Sequence, residues 1–227
     1  MKVMISTDTE PLEAQQIEQP ICKQLEAGVE RGLPDGRFLR LRLTTPDDES
    51  QLRELGESLS VRTLSEVLFQ SIHAPSAANL DRYLQTEFPV CVTIVAWFET
   101  EVTRNQRRLA PWVGLAHYWK IEPKKAMLTL VVGDPWRERG VGKKLFEVLV
   151  AVAREAGIEK LTTFFSADNA AMLRLLQRCG LTLSKPADDQ TPWEINLSMT
   201  SPAEGETGGG CSLEDTTKPE IKGEITR

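Results

Sequence analysis

Gly140 and Gly142 stand among four bases, Arg137, Arg139, Lys143 and Lys144, where the apolar run ending Val131-Val132 gives way to a helical pattern. Residues of these types in this order suit an anion. A helix N-terminus offers free N–H groups and a partial positive charge. The glycines let that backbone come close to a phosphate, and the bases add charge around it. A strand-to-helix turn with solvated bases is the competing reading of the same residues.

Two common phosphate motifs are excluded by position. A P-loop requires a glycine where Arg137 stands and a serine or threonine where Lys144 stands. The dinucleotide fingerprint requires a third glycine at Leu145. Neither ATP nor NAD is therefore favoured.

The elements that must position this loop are read from periodicity. Leu39, Leu41 and Leu43 alternate with Arg40 and Arg42, a half-buried first strand. Thr45, Pro46 and Asp48 then read as the start of a helix with one face at Leu52, Leu55 and Leu59. Short helical stretches are expected near residues 64 to 69 and 77 to 84. Three strands follow, "VCVTIVAWF", "WVGLAHYWKI" and "AMLTLVV", joined as an antiparallel meander. A helix with Val141, Leu145, Val148, Leu149 and Val152 on one face comes next, then the strand "LTTFF". The helix "DNAAMLRLLQRCG" stops at Gly180, and "WEINLSM" closes the domain. The reading is one α/β (α+β) domain around a single mixed sheet.

Charge is uneven along the 227 residues. The net −6 comes from the ends: residues 1 to 36 hold seven acids against three bases, and residues 201 to 227 hold six against three. The middle is near neutral, so no uniformly basic nucleic-acid face is indicated. Cys22, Cys91, Cys179 and Cys211 are scattered, without a CxxC pair, and the chain has two histidines. Neither a disulfide framework nor a metal site fits, and reduced thiols in a cytoplasmic protein are expected. The longest apolar run is about half the roughly 20 residues a membrane helix needs. Residues 1 to 36 read as a flexible N-terminal extension, 37 to 199 as the domain, and 200 to 227, glycine-rich and polar, as a disordered acidic tail.

The run Arg137-Glu138-Arg139-Gly140-Val141-Gly142 resembles the Arg/Gln-x-x-Gly-x-Gly/Ala motif of the GNAT family of N-acetyltransferases. "NAAMLRLLQRCGL" is similar to that family's second signature, with Leu181 in place of its phenylalanine. One helix and one strand separate the two motifs, as the family requires, and the resemblance covers about residues 37 to 199. More narrowly, "RLRLTTPDDESQLREL" and Asp134-Pro135-Trp136-Arg137 look like the acetyltransferase domain of bacterial protein lysine acetyltransferases.

The resemblance implies the GNAT fold: a mostly antiparallel mixed sheet, flanked by helices and splayed between the strands "AMLTLVV" and "LTTFF". It implies acetyl-CoA as co-substrate. The backbone of Arg137, Glu138, Arg139, Gly140, Val141, Gly142 and Lys143 would hold the pyrophosphate, and Val131 and Val132 would run beside the pantetheine arm. Asn169 would sit near that arm, or else Asp168 or Asn169 is a plain helix cap.

Transfer requires a neutral amine to attack a thioester. With a lysine pKa near ~10.4, neutrality at pH 7 costs about 4.6 kcal/mol. The family's usual glutamate base aligns with Met127, and its tyrosine acid with Leu176; both positions are apolar here. His117 titrates in a useful range, but its alternation with Val113, Leu115, Trp119 and Ile121 favours a packed strand histidine. Cys179, Glu122 and Glu138 read as a packed helix-end thiol, a solvated turn carboxylate and a phosphate-loop residue. Trp112, Trp119 and Trp136 could line a groove, though core and rim packing explains most of them.

The expected function is acetyl transfer from acetyl-CoA to an amine, favouring a protein lysine or N-terminus, with no nucleic-acid or membrane partner. The alternatives are an acyl-CoA-binding sensor or interaction module without efficient catalysis, and a small-molecule amine acetyltransferase.

Overall fold

The computed structural model describes residues 19–65, 80–99, 110–184, 186, 188 and 191–197. The expectations for residues 1 to 18 and 200 to 227 lie outside these residues. The two short helical stretches are described only in part, as helical residues 61–65 and a 3-10 turn at Leu80–Tyr83.

The chain runs α1 (Ile21–Ala27), β1 (Val29–Gly32), β2 (Phe38–Leu43), a 3-10 turn at Pro46–Asp48, α2 (Glu49–Glu57), β3 (Cys91–Trp97), β4 (Trp112–Glu122) and β5 (Lys125–Val132). A second 3-10 turn, Asp134–Trp136, leads into α3 (Val141–Glu155). There follow β6 (Lys160–Thr163), α4 (Ala170–Arg178), β7 (Thr182–Ser184) and β8 (Trp193–Asn196). The strands form one open sheet in the order β1-β2-β3-β4-β5-β6-β8-β7. Every pairing is antiparallel except β5 with β6. This is the mixed, mostly antiparallel sheet expected from the sequence.

Alternation on the strands sorts the core into two faces. Ala116 and Tyr118 of β4 and Ala126 and Leu128 of β5 join Val141, Leu145, Phe146 and Leu149 of α3 in the larger cluster. Leu115 and Val131 join Leu52 and Leu55 of α2, with Tyr83 and Leu84, in the smaller one. Val113, expected in phase with His117, belongs to the larger cluster instead.

The domain begins earlier than expected. In place of an extension up to residue 36, α1 and β1 belong to the folded unit. Leu25 has no exposed surface, Cys22 is buried beside it, and both join the larger cluster. β1 pairs with β2 from Val29–Leu41 to Gly32–Phe38. Pro20 caps the start of α1, and Gly28, at φ 86°, its end. β7, a three-residue edge strand, was also not foreseen.

The β5–β6 ladder is short. It covers Lys125–Lys160, Ala126–Leu161 and Met127–Thr162, and β5 then runs on to Val132 without that neighbour. The sheet therefore opens into a V at the strand pair where splaying was expected.

Candidate active site

The open part of β5 leads straight to the glycine loop. Val131 is buried and Val132 half-buried. Their strand ends at Gly133, whose N–H donates to the Val113 carbonyl at 2.9 Å. β4 comes so near here that a Cβ on Gly114 would lie 2.6 Å from the Val131 carbonyl oxygen, which fixes glycine at that position.

From Trp136 the backbone curls. Arg137 is extended, Glu138 has φ 61° and Gly140 φ 91°, the two left-handed residues of the turn. Such curling turns successive N–H groups toward one concave side. Gly140 is then the N-cap of the 15-residue α3, and no described side chain caps this helix. The first bond of α3 runs from the Lys144 N–H to the Gly140 carbonyl at 3.1 Å, so earlier first-turn N–H groups stay available to an outside acceptor. A Cβ on Gly142 would sit 3.3 Å from Val132 Cγ2, so any side chain there intrudes between loop and strand.

The bases are held by neighbours. Lys143 and Lys144 pair with Glu147 at 3.6 and 3.0 Å. The Arg139 guanidinium lies 5.7 Å from the Trp136 ring centroid. Arg137 Nε is 3.5 Å from the Val132 carbonyl oxygen and 3.8 Å from Asp134. Glu138 reaches out to Arg174 of α4 at 3.3 Å, so the loop is linked to the helix across the V.

Asn169 is the cap of α4: its Oδ1 accepts from the Met172 N–H at 3.0 Å. That assigns the cap between the two candidates, Asp168 and Asn169. Leu176 has no exposed surface and packs in the core. Cys179 is half-buried beside α3, and its thiol is raised, first by burial and then by Glu147. Glu122, expected in a turn, ends β4.

Met127 is half-buried on β5, opposite Trp119 of β4, and the Thr162 hydroxyl lies 3.8 Å from its sulfur. It marks the last rung before the strands part. His117 pairs with Thr93 and Thr129 across the sheet and is 3% exposed. Its Nδ1 lies 2.9 Å from the Thr93 hydroxyl, and the Tyr83 ring meets it edge-on at 5.0 Å. Burial, then the charge of Arg82, pushes its pKa down to about 3. An imidazole so hard to protonate is a packed core histidine, as its strand phase suggests. Trp112 is buried in the smaller cluster, while Trp119 carries Arg82 and Trp136 carries Arg37 on their rings.

Asp134 enters the sequence reading only within the run Asp134–Arg137, with no role of its own. Its carboxylate accepts from the Ser60 N–H at 2.8 Å, the Ser60 hydroxyl at 2.9 Å and the Thr63 hydroxyl at 2.7 Å. These bonds, that from the Ser60 backbone first, bring its pKa down to about 2. The partners are more than seventy residues away, so no local signal could have announced them. Among the described residues, no group of three His, Cys, Asp or Glu side chains could hold a metal ion, and no helix is long and apolar enough to cross a membrane.

Comparison with known proteins agrees with this geometry. A model of the acetyltransferase (GNAT) family matches residues 66–181. Over 147 residues the chain is 25% identical to the acetyltransferase Pat of Mycolicibacterium smegmatis, a match covering 64% of this chain and 41% of that protein. It is 24% identical over 160 residues to an acetyltransferase of Pseudomonas aeruginosa, covering 70% of this chain and 83% of that one. Among solved structures, the GNAT domain of S. lividans PAT superposes with a TM-score of 0.62 at 23% identity, covering 74% of this chain and 96% of that chain.

Proposed function

From the premise that the chain belongs to the GNAT acetyltransferase family, we propose that it transfers an acetyl group from acetyl-CoA to an amine, with a protein lysine or N-terminus as the favoured acceptor. The observation that carries this reading is the N-terminus of α3 with no side-chain cap among the described residues, opening under a glycine turn at the end of a strand that has parted from β6. The backbone of Arg137, Glu138, Arg139, Gly140, Val141, Gly142 and Lys143 would receive the pyrophosphate. The β6-facing backbone of β5 at Val131 and Val132, beyond the end of the β5–β6 ladder, would hydrogen-bond the pantetheine amides, and Asn169, as cap of α4, would fix the far wall of the V.

The reaction joins the amine nitrogen to the thioester carbonyl carbon, and the carbon–sulfur bond breaks to release the thiolate. The amine must lose a proton on the way, and no carboxylate stands at Met127 to accept it. The acceptor as a lysine rests on likeness to the lysine acetyltransferases. A small-molecule amine is the alternative acceptor.

A second reading is favoured by Met127 and the buried Leu176: a protein that keeps the acyl-CoA cradle and signals or interacts through it, without efficient transfer. Calorimetric titration with acetyl-CoA, followed by transfer assays on lysine peptides, separates the two. Saturable binding with transfer supports the enzyme, and binding without transfer supports the module. Gly142→Asp puts a carboxylate beside Val132 and is expected to abolish acetyl-CoA binding with little change in melting temperature. Unchanged affinity in that variant would refute the loop assignment.

A further inference from the structure

Asp134 stands between two parts of the molecule. On one side it is three residues before Arg137, where the glycine turn begins, and the Arg137 N–H donates to its carbonyl at 3.3 Å. On the other, its carboxylate holds the start of the helical residues 61–65. Ser60 occupies the cap position there: the Leu64 N–H donates to its carbonyl at 2.9 Å, and the Thr63 N–H to its hydroxyl at 3.3 Å. The Ser60 N–H, its hydroxyl and the Thr63 hydroxyl all donate to Asp134. A carboxylate at a helix start satisfies orphan donors and meets the positive end of the helix dipole. Here that carboxylate comes from the glycine loop's own turn instead of the segment itself. Asp134 thus braces the cap of helical residues 61–65 from across the fold.

We infer that Asp134 is a positioning residue through which acetyl-CoA, held at the glycine loop, orders the segment beginning at Ser60. This rests on the reading of that loop as the pyrophosphate site. A bound pyrophosphate fixes the curl from Arg137 to Gly142, which fixes Asp134, and the cap at Ser60 and Thr63 tightens. Linkage makes the effect reciprocal: loosening the segment weakens the coenzyme by the same factor. Neither Ser60 nor Thr63 belongs to the loop, and the described bonds link both to it through Asp134. Val61, 80% exposed, and Leu64, 37% exposed, lie on this segment and are presented to solvent beside the loop. Coenzyme binding thus stiffens the surface that Val61 and Leu64 present.

The test is a double-mutant cycle read by calorimetric titration with acetyl-CoA, using Asp134→Asn, Thr63→Val and the pair. Each single variant is expected to weaken acetyl-CoA about fivefold, the pair by no more than either alone, and Thr63→Ser to restore the affinity. Hydrogen exchange supplies the second readout. Saturating acetyl-CoA is expected to slow exchange at Ser60, Leu64 and Ser65 in the parent and to leave it unchanged in Asp134→Asn. Unchanged affinity in both single variants overturns the inference, as do factors that multiply in the pair, or segment exchange indifferent to acetyl-CoA in the parent. If Asp134→Asn fails to fold, Thr63→Val and the parent's exchange still decide. A parent that does not bind acetyl-CoA removes the loop reading and this inference together. A parent that binds while the variants match it removes the inference alone.

Discussion

At the residue scale, a neutral imidazole sealed in a sheet makes stability depend on pH. His117 has its pKa pushed down to about 3 in the folded protein, against about 6.5 when unfolded. Above pH 6.5 neither state binds the proton and His117 contributes in full. As pH falls below that value the unfolded chain takes up a proton that the folded one refuses, so folding weakens by about 1.4 kcal/mol per pH unit. Asp134 and Asp48, both lowered, lose their contributions only at more acid pH. Urea unfolding from pH 6.5 to 5 is therefore expected to show a steeper loss in the parent than in His117→Gln, by about 2 kcal/mol over the interval. Met127 is the other instructive residue. Met127→Glu puts a carboxylate at the last rung of the V, where burial raises its pKa and favours proton uptake. The transfer rate to lysine peptides is expected to rise by the 10²–10⁴-fold typical of general-base catalysis. An unchanged rate would argue that the amine loses its proton elsewhere.

At the scale of elements, periodicity carried most of the fold. β2 to β6, β8, α3 and α4 follow from alternation or a 3.6-residue repeat, because each buries one face against the others. α1 and β1 escaped that reading for a physical reason: α1 spans only seven residues, and β1 (Val-Glu-Arg-Gly) has a single apolar side chain, so neither shows a period. Their flanking proline and glycine signal a chain break and a cap equally well. The site was legible in a similar way. The glycine loop shows itself locally, and Asn169 shows itself as one of two adjacent caps. Asp134 with Ser60 does not, because a cap supplied across the fold leaves no trace in the neighbouring residues. Asn169→Ala removes the single side-chain bond at the start of α4, and is expected to cost about 1 kcal/mol in chemical denaturation.

For the whole molecule, the N-terminal segment decides where the domain can be cut. Starting the chain at residue 37 would remove Leu25, which has no exposed surface, and expose the β2 edge that β1 covers. The shortened protein is expected to lose more than the roughly 2–5 kcal/mol of a single buried Leu→Ala change, read as a lower melting temperature and a loss of solubility. The short β5–β6 ladder has a mechanical meaning as well. Three residue pairs join β6 to β5, and the Lys125–Glu194 bridge at 2.6 Å ties β8 to the same end of β5, while farther along the seam β5 has no ladder with β6. The strands part beyond Met127, although Leu161 and Ile195 on the far side share one core cluster with Leu128 and Ala116 on the near side. A ligand lying in the gap would act as a rivet, taking up shear that hydrogen bonds carry elsewhere in the sheet.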